Sequence, residues 1–229
     1  MKRVLDWLRP GNDPRCSELI KPRPLDDRPL AQQRLVVVDL ETSGLNLQRD
    51  HLLAIGAVVI ENGAIDFAQQ FECTLCQPGH KASASTLIHG IAPSAIAAGS
   101  DPGEALLAFM DFVGDSPLLA FHAPFDQHML QRALKRHLGY RLQHPFLDVA
   151  DLAPLLCPEG PQRRAGLDDW LKHFHLQAAE RHNASADALA TAELALILFS
   201  KARRQELDSL ARLQQRAQTW RRRQTAPSL

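Results

Sequence analysis

The chain has 229 residues, 45% of them hydrophobic and 23% charged, which suits one globular domain with extensions and needs no disulfide or metal simply to fold. Its 26 basic and 26 acidic residues cancel, which at first sight excludes a basic nucleic-acid-binding protein. The charges are not evenly mixed: residues 1–34 carry 8 basic and 5 acidic residues (net +3), residues 201–229 carry 8 and 2 (net +6), and the middle carries 10 and 19 (net −9). An acidic body with basic ends suggests interaction tails around a body that uses carboxylates.

Prolines at 10, 14, 22, 24 and 29 make residues 1–34 an irregular arm or linker. The β-branched run that starts at Leu35 predicts a buried strand ending in Asp39 and Glu41. Leu52 to Ile60 is a second strand, Glu61-Asn62-Gly63 a hairpin turn, and Ile65 to Leu75 the returning strand. Asp101-Pro102 opens a helix that Gly114 stops. Pro117 to Phe121 is a fourth strand, Pro124 to His137 a helix, and Pro145 to Asp148 a fifth strand. Helices follow at 149–156, 166–174 and Ser185 to Phe199. A last amphipathic helix over 202–223 keeps Leu207, Leu210, Leu213, Ala217 and Trp220 on one side and arginines elsewhere. A meander followed by alternating helices and strands means a mixed α/β sheet, with functional residues at strand ends and helix starts.

Four cysteines, at 16, 73, 76 and 157, give neither a disulfide framework nor a four-ligand zinc site, and fit a reducing cytoplasm. Cys73 and Cys76 on one strand would face opposite ways and chelate poorly. No stretch is apolar enough for a membrane span, and Met1 to Pro10 has no signal-peptide core. No Gly-x-Ser-x-Gly elbow supports a serine hydrolase.

Asp39 and Glu41, at i and i+2 of a strand, share one face. Alone, the pair reads as a polar strand end facing water. Asp126, one turn into a helix, and Asp187, near the start of a very apolar helix, read singly as helix-terminal acids. His182 alone is an ordinary loop histidine. Together, the four acids can converge on one sheet edge and form an oxygen-only pocket for Mg²⁺ or Mn²⁺ rather than zinc. Two such ions about 3.5–4 Å apart serve phosphodiester chemistry, and a nearby histidine can accept a proton from water near neutral pH.

Asp39-Leu40-Glu41-Thr42-Ser43-Gly44-Leu45, followed by Leu53 to Val58, resembles the first motif of the DEDDh (DnaQ-like) 3′–5′ exonucleases, which include the proofreading epsilon subunit of bacterial DNA polymerase III. His122-Ala123-Pro124-Phe125-Asp126 resembles the second motif, and His182, Ala184, Asp187 and Ala188 resemble the third. Ile88-His89-Gly90-Ile91 and Leu167 to Leu171 match two further family segments, and five ordered motifs are more specific than any one. The resemblance covers about residues 35–200. It implies an α/β, ribonuclease-H-like, five-stranded mixed sheet flanked by helices, with an exonuclease domain at 35–200, the arm at 1–34 and a basic amphipathic helix or tail at 201–229.

By the same resemblance, Asp39, Glu41, Asp126 and Asp187 would ligate two divalent cations, Mg²⁺ or Mn²⁺, with Asp39 bridging and His182 as general base. Thr42, Leu45, His89 and Phe125 would bind substrate. The implied reaction is release of nucleoside monophosphates from single-stranded or frayed DNA 3′ ends, in proofreading or repair. The same family also includes exoribonucleases, so RNA is the alternative substrate, and a non-catalytic polymerase- or repair-associated module is the alternative to an enzyme. A polymerase or repair partner could dock on the C-terminal tail through Leu207, Leu210 and Leu213. Two positions depart from the family pattern: Ala123, where the second motif usually has Asn, and Ala54, where an acid or glutamine is common.

Overall fold

The computed structural model describes residues 13–82, 84–161, 165–178 and 181–225. Five strands, β1 (Leu35–Thr42), β2 (Leu52–Glu61), β3 (Ala64–Thr74), β4 (Leu118–Ala120) and β5 (Phe146–Asp148), form one sheet in the order β3-β2-β1-β4-β5. The β1–β2 and β2–β3 pairs are antiparallel, whereas β1–β4 and β4–β5 are parallel. The expected five-stranded mixed sheet flanked by helices is therefore present. Central β1 is buried continuously from Leu35 to Val38, while edge strand β3 is exposed or half-buried throughout, as a strand covered on both faces should differ from one at the rim. Asn62 and Gly63 both take positive φ (54° and 74°), the conformation a two-residue hairpin loop requires.

Among the described residues, eight α-helices accompany the sheet: α1 (Ala84–His89), α2 (Pro93–Ala97), α3 (Pro102–Val113), α4 (Ala123–Leu138), α5 (Val149–Leu156), α6 (Leu167–His173), α7 (Ala184–Arg204) and α8 (Leu210–Thr225). Alternation along β1 and β2 divides the core. Val36, Val38, Ile55, Ala57 and Val59 pack with α3 and α4. Leu35, Val37, Val58 and Ile60 pack with α5, α6, α7 and α8. Asp101 caps α3 by accepting from Gly103 and Glu104 N–H, and Pro102 occupies its first turn.

The C-terminal region differs from the single helix expected over 202–223. Helix α7 runs on to Arg204, Glu206 turns left-handed (φ 61°), and Leu207 N–H returns 2.9 Å to Ala202 O, the bond that closes a helix C-terminus. Helix α8 then starts afresh. Its Leu210 and Leu213 are fully buried against the body, and each contributes about 1.5–3 kcal/mol by burial. With Leu207 also packed on the core, the apolar side read as a partner-docking face is turned inward. Residues 13–34 likewise run along the body. Asp13 N–H donates to Leu138 O, Arg23 N–H donates to Asp115 O, and Leu30 is buried. Among the described residues, no helix is long and apolar enough to cross a membrane.

One close approach fixes the position of α7. A Cβ placed on Gly56 would lie 2.2 Å from the Ala184 carbonyl carbon and 2.2 Å from the Ser185 nitrogen. Helix α7 thus starts directly on the β2 backbone, where only a hydrogen fits. Gly56→Ala must push α7 off the sheet, at a cost of at least about 1–3 kcal/mol. Chemical denaturation should show that loss, and an unchanged midpoint would contradict the packing.

Candidate active site

Asp39 and Glu41 project from the same face of β1 at its C-terminal end. Across the antiparallel pair, Asp39 faces Gly56 and Glu41 faces Ala54. Ala54, one of the two departures from the family pattern, thus sets a small buried side chain opposite a carboxylate. Helix α7 starts against the neighbouring Gly56. Asn183 caps it by accepting from Ala186 N–H at 3.0 Å, and Asp187 lies in its first turn, 5% exposed. Ligand oxygens of Asp39, Glu41 and Asp187 lie within 4.8 Å of one another.

Asp126 arrives from α4 and is buried. The turn before it is unusual. His122 stands at the helix N-cap in the left-handed region (φ 64°) and gives no side-chain cap. Asp148, at the end of β5, replaces the missing cap: its Oδ1 accepts from His122 N–H (3.0 Å) and Ala123 N–H (3.3 Å). Ala123, the second departure, therefore takes part through its backbone. On the other side of Asp148, Arg221 from α8 reaches Oδ2 at 3.5 Å and also pairs with Asp151.

The electrostatics follow from this crowding. Burial, then the charges of Asp126 and Glu41, hold the Asp39 carboxyl well above its ordinary range, against the pull of Arg181. Burial likewise pushes Glu41 up to about 7, again opposed by Arg181. Asp126 is raised by burial and by the charges of Asp148 and Glu41, with the backbone N–H groups of Asp126 and Leu40 opposing. Arg181 pairs with both Asp187 and Asp168, so a guanidinium supplies positive charge directly at the cluster. An oxygen-only donor set whose members repel one another fits a hard divalent cation, which would let all of them ionise together.

The other expected residues are distributed around this cluster. His182 is exposed, its backbone left-handed (φ 61°), and its N–H donates to Asp187 Oδ2 at 3.1 Å. Thr42 is buried and spends its hydroxyl on Gly44 O (2.8 Å). Leu45 is exposed, as are Leu87 and Ile88 on α1, which is tied to the β1–β2 loop by Ser85 Oγ donating to Ser43 O. His89 is buried, with Nδ1 accepting from Ile91 N–H and Nε2 without a partner among the described residues. Phe125 is half-buried against the α3–α4 core. Cys73 and Cys76 turn their thiols to separate carbonyls, of Thr74 and Ala97. Arg181 and Asp148 were not singled out from sequence. Arg181 had a local signal, adjacency to His182, and Asp148 ends a strand, the kind of position expected to carry functional residues.

Comparisons with known proteins agree with the geometry. A family model described as Exonuclease matches residues 36–195. The PolC-type DNA polymerase III of Streptococcus pyogenes serotype M1 is 33% identical over 178 residues, covering 77% of this chain but 12% of the polymerase. E. coli exonuclease I in complex with a dT13 oligonucleotide superposes with a TM-score of 0.61 at 20% identity, over 76% of this chain and 42% of that one. The zinc-bound form of the E. coli exonuclease I–single-stranded DNA complex gives 0.62 at 21% identity, over the same 76% and 42%. The chain thus spans about an eighth of the polymerase relative and less than half of each exonuclease I chain.

The cluster makes a pH prediction. Folding raises the Glu41 pKa from 4.5 to about 7, so between those values the folded state binds more protons than the unfolded one. Without metal, this group therefore lowers stability as pH rises from about 4.5 to about 7. Buried histidines such as His89 and His144, shifted down, titrate with the opposite sign, so the comparison must be with Glu41→Gln at each pH. In EDTA, the variant should gain stability over wild type progressively across that window. A difference that stays flat with pH would contradict the assignment.

Proposed function

The chain belongs to the DnaQ-like 3′–5′ exonuclease family, and on that premise we propose that it hydrolyses DNA from single-stranded or frayed 3′ ends, releasing nucleoside monophosphates. The observation that carries this reading is the convergence of Asp39, Glu41 and Asp187 within 4.8 Å, with buried Asp126 outside that group but near enough for its charge to act on Asp39. Asp39, Glu41, Asp126 and Asp187 would hold two divalent cations, Mg²⁺ or Mn²⁺. Bound there, the cations would activate water and stabilise negative charge developing on the phosphate and leaving oxygen.

The remaining work falls to side chains of this chain. His182 stands at the rim with its backbone pinned to Asp187, a placement suited to taking the proton of the attacking water. Arg181, paired with Asp187, supplies a guanidinium that can turn to an entering phosphate once that carboxylate engages a cation. Leu45, Leu87 and Ile88 expose apolar surface at the same edge, against which a terminal base can pack. Thr42 shapes the turn after β1 through its bond to Gly44, and His89 lies buried at the end of α1 with Nε2 unpartnered among the described residues. Phe125 packs behind Asp126 and steadies its helix. Residues 35–200 form the proposed catalytic unit, and α8 supports it through Arg221 and Asp148. The polymerase relative and the single-stranded DNA bound by E. coli exonuclease I support DNA as substrate and work alongside a polymerase as the setting.

A 5′-labelled oligonucleotide incubated with Mg²⁺ or Mn²⁺ should shorten stepwise from its 3′ end, with DNA preferred over matched RNA. Asp39→Asn and Asp187→Asn should be folded and inactive, and His182→Ala should lose roughly 10²–10⁴-fold. No shortening by wild type, or equal shortening by Asp39→Asn, would overturn the reading.

A further inference from the structure

We propose that Arg132 and Arg136, one turn apart on α4, form a track for the phosphates upstream of the scissile bond on a single nucleic-acid strand. This rests on the exonuclease reading and extends it from the reacting end to the rest of the substrate.

Arg132 and Arg136 share with Arg49 and Arg141 the lack of an ion pair among the described residues, and they are the pair set one turn apart on one helix, whereas several other arginines are engaged. Arg15, Arg23, Arg28 and Arg181 each pair with a carboxylate, and Arg34 is taken up by Ser116, Gln69 and the carbonyls of Phe112 and Val113. Arg132 and Arg136 have no carboxylate within ion-pair distance among the described residues. Arg132 Nη1 donates to Leu47 O at 2.6 Å, and Arg136 Nη1 lies 3.3 Å from His51 Nδ1. Asp50, the acid beside His51, turns its oxygens instead to Ser43 Oγ and Asn46 N–H. Like charges at i and i+4 of a helix repel unless an anion bridges them. The two guanidinium charges also depress the His51 pKa, after burial. Positive charge is thus gathered here, with Asp50 the acid that lines the same hollow and no carboxylate paired to either arginine among the described residues.

The location suits a strand leaving the acid cluster. Asp126 lies in the first turn of the same helix. At 1.5 Å per residue, Arg132 and Arg136 stand about 9 and about 15 Å further along its axis. Both reach toward the β1–β2 loop, which carries exposed Leu45 and Leu47. A chain held by its 3′ end at the acids would pass along this line with its phosphates facing two arginines.

The test uses the full chain and two probes. Binding is read by anisotropy of a 5′-fluorescein oligothymidylate whose last linkage is a phosphorothioate, in Ca²⁺, from about 50 to about 200 mM salt. Hydrolysis is read in Mn²⁺ with the p-nitrophenyl ester of thymidine 5′-monophosphate, which has one phosphodiester and is too short to reach Arg132 or Arg136. For Arg132→Ala/Arg136→Ala, the Kd should rise about 10-fold or more at low salt, and the log–log salt slope should shrink by about 1.4, or about 0.7 per lost phosphate contact on a single strand. Ester hydrolysis should be unchanged. Arg136→Ala alone keeps the Arg132 bond to the loop and should lose about half of the slope change.

Unchanged Kd and slope would overturn the inference. So would a matching loss on the ester, which would mean a disturbed loop, or transfer of the salt effect to Arg216→Ala, which would place the strand on α8. If wild type leaves both the ester and an ordinary oligonucleotide intact in Mn²⁺, the exonuclease reading fails instead, while the anisotropy still decides whether α4 binds the strand.

Discussion

The site depends on a hydrogen atom where any other residue would carry a side chain. Gly56 lies opposite Asp39 across the β1–β2 pair, and the first turn of α7 rests on its backbone. Ala54, opposite Glu41, sets a small buried side chain at the neighbouring position. These two small residues let Asp187 come down among the strand carboxylates. The alanines of α7 continue the same logic, with Ala188, Ala192 and Ala195 fully buried. Packing and chemistry are thus one requirement: the helix must be close to bury its face, and that closeness assembles the acids.

Closeness has an electrostatic cost, met by positive charge and by backbone dipoles. Arg181 pairs with Asp187 and draws down both Asp39 and Glu41. N–H groups of Asp126 and Leu40 do the same for Asp126. Asp148 acts further out, capping the left-handed turn at His122 while Arg221 holds its other oxygen. Through that pair, the C-terminal helix is linked to the turn that aims Asp126. Metal binding and the stability of this corner should therefore be coupled, because a divalent cation relieves the repulsion that burial creates.

Much of this was legible in the sequence, for local reasons. The β-branched run before Asp39, the Asn62-Gly63 turn and the Pro102 and Gly114 boundaries of α3 are written in short-range chemistry, and the structure has them. The four acids stood out because each lies near a strand end or a helix start within a family-like motif, and three of them, Asp39, Glu41 and Asp187, come within 4.8 Å of one another. What could not be read depends on tertiary placement. The break between α7 and α8 falls at Glu206, a residue that gives no turn signal yet stands at φ 61°. Helices α1 and α2 have six and five residues, too few to show a periodic face. The leucines of the tail formed an apolar stripe in sequence, but only the fold shows that the body itself covers it. Net charge misled for the same reason: zero is a sum over an acidic body and basic ends, and it hides local unpaired charge such as Arg132 and Arg136.

The central claim is that this packing builds a site for divalent cations out of carboxylates from β1, α4 and α7. Calorimetric titration of Mn²⁺ into the metal-free protein tests it directly, with circular dichroism to confirm that each variant is folded. The account predicts binding to wild type and at least about 10-fold weaker binding to folded Asp187→Asn, since one ligand and its charge are lost. Absence of binding to wild type, or equal affinity in Asp187→Asn, would contradict it.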